Sequence, residues 1–497
     1  MRTRLIDFLS GLQRRLAALD FSPLRERASA VVTTTVALAL IVVSIWILRE
    51  IPHRQVNELL GPAASAADRM QRLQLENEFR KPLMQTFLGA CGLIILYFAW
   101  RRLLVADQNA RLIAAGHLTS CYTQAVEQLA ATEGGQPNLA VRLGGIYALE
   151  RIARESPRDH WTVMEVLSAY VRRLTAAPSP APAAGPNGHE PATTATAETT
   201  APKTPGIDVQ AILTVLGRRE RGGRREPPGR ALNLAGTNLE GADLSQAHLE
   251  KANFRDAHLE RANFTQSCLE GADLRGAHLE RANLMEANLN RAELGGAHLE
   301  RANLMEARLE RAYLMNAHLE DANLLDARLE GAYLILANLE AANLQATRME
   351  GAKLMAAHLE RSNLLDARLE KAELGGAHLE GAILRGAELT AANLRRAHLE
   401  GANLSQAYLE RAMLMAAHLE RATLCEANLE GAYLYEAHFE GADLADACLE
   451  RASGLTVEQV KAAQNWASAR FDPEFRQKLD QDDTSHPAPA ASHRAGA

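Results

Sequence analysis

From residue 232 onward the apolar positions recur every five residues without a slip. Read in fives, the chain runs LNLAG, TNLEG, ADLSQ, AHLEK, ANFRD, AHLER and onward to ACLER at 447–451. The central residue is Leu, Phe or Met in 44 consecutive units, from Leu234 to Leu449. The residue two before it is nearly always Ala, and its replacements are small: Thr237, Ser267, Thr347 and Ser362. Neither 3.6 nor 2 divides this period, so neither an amphipathic helix nor an ordinary strand explains it. A short internal period held this long predicts a solenoid.

Upstream the pattern changes twice. Ala28 to Leu48 and Pro82 to Trp100 are uncharged runs of 21 and 19 residues, bracketed by Arg, Lys and Glu. Each is long enough to span a bilayer core as a helix. A cleaved signal peptide is the competing reading of the first, but its leading region is too long and no small-x-small site follows before the second run, which favours two spans. Leu5, Ile6, Leu9, Leu12, Leu16 and Leu19, near Arg14 and Arg15, predict an interfacial helix on an anionic leaflet. Lys and Arg number nine on the two terminal flanks against six in the connecting loop, 49–81. That excess puts both termini and the repeat in the cytoplasm.

Val163, Met164, Leu167, Tyr170, Val171 and Leu174 then mark one face of a soluble helix, opened by Ser156-Pro157-Arg158-Asp159. Leu143, Ile146, Leu149 and Ile152 mark the helix before it. His160 stands alone near a helix start and reads as structural. The expected organisation is a membrane anchor over 1–104 with spans at 28–48 and 82–100, then a helical module over 105–175. A disordered linker over 176–206 and a short helix with its lead-in over 207–230 follow. The repeat β-helix covers 231–453, a helical cap 454–479 and a disordered tail 480–497. In the cap, Thr456-Val-Glu-Gln459 is a capping-box start, followed by Val460, Trp466, Phe471 and Phe475.

Composition narrows the chemistry. The 497 residues are 47% hydrophobic but only 5% aromatic, which suits many small repeated core positions. The five cysteines share no CxxC spacing, so no disulfide framework or zinc site is expected and a reducing compartment fits. Net charge is −7, yet residues 232–450 hold 35 acidic and 20 basic side chains, or −15, so the remainder sums to +8. The acidic repeat repels phosphate, which argues against direct nucleic-acid binding.

The repeat resembles the pentapeptide-repeat family, whose motif is A(D/N)LXX, over about 220 residues. The resemblance implies a mainly β fold: a right-handed quadrilateral β-helix, four pentapeptides per coil, with the central residue and the small residue two before it pointing inward. The 44 units then make 11 coils and a rod about 50 Å long. The segments 141–152 and 160–166 also look like the helical part of membrane-anchored bacterial members. Gyrase-protecting members present an acidic rod resembling DNA, which makes a nucleic-acid mimic the alternative function here.

With four units per coil, residues 20 apart stack on one face. His258, His278, His298, His318, His358, His378, His398, His418 and His438 share a column, broken by Asn338, beside glutamates from Glu240 to Glu440. Adjacent imidazoles at that spacing offer a flat two-nitrogen set without enclosure. A tandem AHLERANLxx unit with histidine tolerated outward accounts for the column, so no metal, cofactor or catalytic residue is expected. The opposite face carries Arg308, Arg328, Arg348 and Arg368 among its glutamates. A third face carries outward Tyr313, Met315, Tyr333, Ile335, Leu336, Met355, Met413, Met415, Tyr433 and Tyr435, and an adjoining face adds Met285, Met305, Leu325 and Leu365. A contiguous apolar stripe marks an interface. Its occupant is a protein partner, a second copy in a homo-oligomer, or the chain's own helical module. The expectation is a non-enzymatic, membrane-anchored scaffold.

Overall fold

In the computed structural model, described here for residues 25–60, 65–175, 204–219 and 230–485, the chain divides into two units, 1–117 and 118–497. The first unit contains α1 (Arg25–Leu60) and the first part of α2 (Ala66–Leu129). The two run antiparallel. Arg80 Nε donates to the Leu48 carbonyl at 3.3 Å, Arg72 Nη1 to Asn57 Oδ1 at 2.9 Å, and His53 Nδ1 pairs with Glu76 at 2.9 Å. Two expectations change here. The connecting stretch 49–81 is almost wholly helical, because both helices extend past the apolar runs. The boundary at 104/105 also disappears, since α2 continues unbroken to Leu129. Among the described residues one helix, within Ala67–Ala110, is long and apolar enough to cross a membrane by length and composition. The interfacial helix expected at 5–19, linker residues 176–203, lead-in residues 220–229 and tail residues 486–497 lie outside the described residues.

In the second unit a two-residue hairpin, β1 (Thr132–Glu133) and β2 (Gln136–Pro137), turns on Gly134-Gly135, both at positive φ as a primed turn requires. Helices α3 (Leu139–Glu155), α4 (His160–Thr175) and α5 (Ile207–Gly217) pack through Ile146, Leu149, Ile152, Leu167, Val171, Ile212 and Leu216. Ser156 closes α3 rather than opening α4: its N–H donates to Ile152 O, while its hydroxyl donates to Asp159. Residues 157–159 form a turn, and α4 begins at His160. The histidine Nδ1 donates to Ala153 O, 3.1 Å away. Arg142 and Asp208 form a buried ion pair at 2.8 Å across α3 and α5.

The repeat builds a four-walled solenoid whose parallel bridges all join residues 20 apart, from Asn233↔Asn253 to Tyr433↔Ser453. Every backbone N–H of a unit has an assignment, and Asn283 to Ala287 illustrate it. Asn283 donates to Ala262 O one coil back at 2.9 Å; Leu284 and Glu286 donate forward to Asn303 O and Met305 O at 2.7 and 2.9 Å. Ala287 donates to Leu284 O within the corner at 3.0 Å. The remaining N–H, on Met285, donates to the Asn283 side chain at 3.3 Å. That bond is the physical reason for Asn or Asp before the central leucine: without it one buried donor per side depends on solvent. The side-chain amides then link coil to coil, Asn303 to Asn283, Asn323 to Asn303 and onward to Asn363, at 3.0 to 3.2 Å.

Inside, the leucines and alanines are fully buried, with Phe254 and Phe264 edge-to-face at 6.1 Å. Where Ala is replaced, Thr237, Thr347 and Ser362 donate their hydroxyls to the carbonyl three residues back at 2.6 to 2.7 Å. The buried Ser267 hydroxyl has no partner. At each corner the residue two after the central leucine lies at positive φ, whether Gly276 or Arg281. No Val, Ile or Thr stands at that position, because a β-branched side chain tolerates it least.

Both rod ends have their open edges hydrogen-bonded. At the first coil, Asn238, Asp243 and His248 N–H groups donate to Thr175 O, Gln210 Oε1 and Gly217 O at 2.7 to 3.0 Å. Gly217 approaches so closely that a Cβ there would stand 2.8 Å from Ala247 Cβ. At the far end the capping box at Thr456 opens the single-turn α6 (Val457–Lys461), and residues 462–472 complete a last irregular coil. Leu444 and Leu449 donate to Gln464 O and Arg470 O, and Asn465 Nδ2 donates to Asp443 at 2.9 Å. Then α7 (Pro473–Ser485) follows, so order runs past the expected cap boundary at 479.

Replacing Ser267 by Ala is expected to stabilise the protein by about 1 kcal/mol, since an unpaired buried hydroxyl is removed and the alanine usual at this position of the repeat takes its place. Chemical denaturation of the S267A and parent proteins measures it. The Asn465 hydrogen bond, with the Ala445 N–H, holds the Asp443 carboxyl below its ordinary value. A lowered folded value contributes stability above the unfolded pKa of about 4 that is lost as pH falls through the folded value. Hydrogen exchange of 456–472 is therefore expected to accelerate selectively below pH ~4, and to lose that acid step in D443N.

Candidate partner-binding surface

The square cross-section gives the repeat four walls, and successive units occupy successive walls. Residues 313, 333 and 433 stand on one, the histidines on the next, Asn283 to Asn363 on the third, and Arg308 to Arg368 on the fourth. All the predicted apolar residues from Tyr313 to Tyr435 share the first wall. Met285, Met305, Leu325 and Leu365 do not adjoin it. They lie on the third wall, two units and therefore two corners away, and each is only half-exposed.

On the first wall the residues form two patches rather than one stripe. Tyr313 and Tyr333 stack face to face with centroids 4.8 Å apart and planes 8° from parallel. Around them Met315, Leu336 and Met355 are exposed, while Tyr333 and Ile335 are half-buried. Leu336 is 51% exposed and sits at a corner with φ +58, the one leucine among the positive-φ residues of the repeat. Neither solvation nor backbone preference recommends it there. The Lys353–Glu373 ion pair closes this patch, and Gly375, Gly376, Arg395 and Arg396 follow. Two coils later the second patch begins with half-buried Met413 and Met415 and ends with exposed Tyr433 and Tyr435. Tyr435 has a structural duty: a Cβ on Gly454 would lie 2.4 Å from its ring, so the tyrosine covers the point where the chain leaves the regular coils.

Two exposed apolar residues escaped the sequence reading. Ile383 stands at 43% exposure where the third-wall asparagine column breaks, and Tyr408 at 50% on the fourth wall. Their signal was the interruption of each column, visible only when residues 20 apart are aligned.

The other walls are charge-paired. Each imidazole Nδ1 of the histidine wall faces the carboxylate two residues on, at 3.1 Å for His258–Glu260 and 3.0 Å for His358–Glu360. The rings stack with centroids 4.7 to 5.0 Å apart. On the fourth wall Arg368 reaches Glu370, Glu350 and Glu388 at 3.2 to 3.5 Å. Those carboxylates raise the guanidinium pKa, Glu370 most, and the neighbouring Glu370 also pushes Glu388 up. On the first wall itself, two coils before Tyr313, Arg275 chelates Asp273 through two bonds of 2.8 and 2.6 Å and lowers that carboxyl.

A four-cornered coil, a filled core of one Leu and one small residue per side, and a five-residue register kept over 231–453 decide the classification. The repeat domain belongs to the pentapeptide-repeat family. The family profile, Pentapeptide repeats, matches in eight copies spanning 231–453. Among solved pentapeptide-repeat structures, HetL, a protein involved in heterocyst differentiation regulation from Nostoc sp. strain PCC 7120, is 36% identical; the match covers 42% of this chain and 88% of HetL, with a TM-score of 0.32. QnrB1, a plasmid-mediated fluoroquinolone resistance protein, is 20% identical over 38% of this chain and 94% of its own, with a TM-score of 0.28. A pentapeptide-repeat protein of the Arabidopsis thaliana thylakoid lumen is 26% identical over 25% and 74%, with a TM-score of 0.16. No curated protein sequence matches the chain significantly.

The two patches separate by mutation. Tyr313→Ser and Met355→Ser on this pentapeptide-repeat surface are expected to change stability by less than about 0.5 kcal/mol, being exposed and peripheral. Tyr435→Ser uncovers Gly454 and is expected to cost about 1 to 2 kcal/mol. Denaturant midpoints of the three variants test this, and equal losses would remove the distinction.

Proposed function

We propose that this protein is a non-enzymatic, membrane-anchored scaffold that binds a protein partner through the first wall of its pentapeptide-repeat rod. The observation carrying the reading is the patch of exposed Tyr313, Met315, Leu336 and Met355 around the half-buried Tyr333: contiguous and apolar, on a backbone held by hydrogen bonds in every coil. Aromatic side chains on a pre-ordered surface lose little entropy on binding, and Met adapts its shape to a partner. Two membrane spans complete the reading. In α1, Ile41, Val42, Val43, Ile45 and Trp46 are exposed apolar side chains, and in α2 so are Leu88, Leu93 to Phe98 and Trp100. Such a density of uncovered apolar groups suits lipid rather than water. The Lys/Arg excess on the terminal flanks supports both termini and the repeat on the cytoplasmic side, the bacterial inner membrane being the membrane that fits the resemblance.

A second reading, an acidic rod that mimics nucleic acid and binds a DNA-binding protein such as gyrase, draws on the column of glutamates from Glu240 to Glu440. It is the weaker one, because His, Arg and Lys partners engage many of the carboxylates, as in Arg451–Glu430 at 2.8 Å and Arg368 with three glutamates.

Photo-crosslinking from position 333 in native membranes is expected to give a discrete adduct that Tyr313→Ser, Met315→Ser and Met355→Ser together abolish. An adduct of twice the chain mass identifies a second copy as the partner. If the triple variant keeps the parent's adducts and oligomeric state, the first wall is not the interface. Inhibition of gyrase supercoiling by residues 118–485 at stoichiometric levels would instead favour mimicry. A Ser65→Cys label in an otherwise cysteine-free chain is expected to react from the extracytoplasmic side of intact cells, and reaction only after lysis would reverse the orientation.

A further inference from the structure

The histidine wall contains more than a row of tolerated side chains. Its nine rings form two uninterrupted stacks, His258 to His318 and His358 to His438, separated by Asn338. Each ring turns Nδ1 toward the glutamate two residues later, at 3.0 to 3.5 Å in eight of the nine units and 3.9 Å at His438–Glu440. A carboxylate only accepts hydrogen bonds, so without an ion Nδ1 carries the proton of the neutral ring; with the proton on Nε2 instead, the Nδ1 lone pair and the carboxylate face one ion from the same side. The other carboxylate oxygen of Glu260, Glu280, Glu300, Glu320, Glu360 and Glu380 is buried and accepts no hydrogen bond from the protein. Neighbouring arginines leave these glutamates alone: Arg301 leans to Asp321 and Arg361 to Glu340.

The donors therefore do not form the flat two-nitrogen set that spacing alone suggests. Imidazole and carboxylate donors from two successive coils come within 4.8 Å of one another in the groups His258, Glu260, His278; Glu280, His298, Glu300; Glu300, His318, Glu320; and His378, Glu380, His398. Ligands about 2.1 Å from a common ion stand roughly 3 to 4 Å apart, a difference that side-chain torsions close without moving the backbone. We propose that the histidine wall is a linear binding site for divalent transition-metal ions of the zinc class, each ion held by imidazole and carboxylate donors from two successive coils. The inference does not depend on the first wall or on the membrane reading. Mixed nitrogen and oxygen donors select zinc, cobalt or nickel over magnesium and calcium, which prefer all-oxygen sets. Two divalent ions one coil apart repel strongly, so filling proceeds by pairs of rings: two pairs in the four-ring stack and two in the five-ring stack.

Untagged full-length protein in detergent, dialysed against Zn2+ and analysed for bound metal, tests the proposal. All proteins compared carry Cys268→Ala, which removes the separate His248, Glu250, Cys268 group on the fourth wall. About four zinc ions per chain are expected, with no uptake of Mg2+, from the pairwise filling above. Changing His278, His298, His378 and His398 to Gln leaves only the His418–His438 pair and is expected to reduce uptake to about one. Asn338→His joins the two stacks into ten rings and is expected to raise it to about five, a gain that no loss of folding can imitate. Less than one zinc per parent chain, or uptake unchanged in both the fourfold variant and N338H, overturns the proposal.

Discussion

Everything in the repeat depends on one backbone interaction, the hydrogen bond between residues one coil apart. Each side of the square sends one N–H back to the previous coil and two forward to the next, so no coil is satisfied alone. The side is five residues long because that length places one inward leucine and one inward small residue on a short wall and leaves a corner to turn. The corner demands positive φ once every five residues. The same constraint explains the ends. A coil with no neighbour exposes a row of donors and acceptors, so Thr175, Gln210 and Gly217 engage the first coil and residues 462–472 the last.

A backbone fixed in this way separates stability from surface identity. The inward positions scarcely vary; the outward ones do, and each wall develops its own column at a pitch near 4.8 Å. Asparagine columns contribute to the scaffold itself, through the bond to the following N–H and the amide ladder. Where tyrosine, arginine or histidine replaces asparagine, that bond to the backbone is lost from the unit. The substitutions on the first, second and fourth walls are therefore not stabilising choices for the coil. Stacked rings and His–Glu or Arg–Glu pairs recover part of the loss, but exposed ion pairs return little.

How legible this was in the sequence differs by region. The period, the register and the inward set could be read directly, because one residue type recurs at Leu234 and every fifth position after it. The contents of each wall also followed once residues 20 apart were aligned. What did not follow was which walls adjoin, so Met285 and Leu365 were set next to Tyr313 when two corners lie between them. The polar gap at Gly375–Arg396 was likewise hidden by treating a column as a stripe. Tyr435 looked like its neighbours in sequence, and only the proximity of Gly454 marks it as a cover for the chain exit. In the amino-terminal unit, charge density suggested a loop between the apolar runs. Helices nevertheless continue through 49–60 and 66–81, because Glu76, Arg72 and Arg80 find partners on the facing helix.

Leu336 separates an incidental apolar surface from an adapted one. Most corners of the repeat hold Gly, Arg, Ala or Asp. A leucine there is disfavoured twice, since a branched side chain resists positive φ and its exposed area is apolar. Glycine, present at many equivalent corners, would remove both costs. The leucine stands in the same coil as Tyr333 and Ile335, where three outward positions in four residues are large and apolar. Costs that the solenoid does not require, gathered in one coil beside a stacked tyrosine pair, support the proposal that this patch of the first wall is where a partner docks.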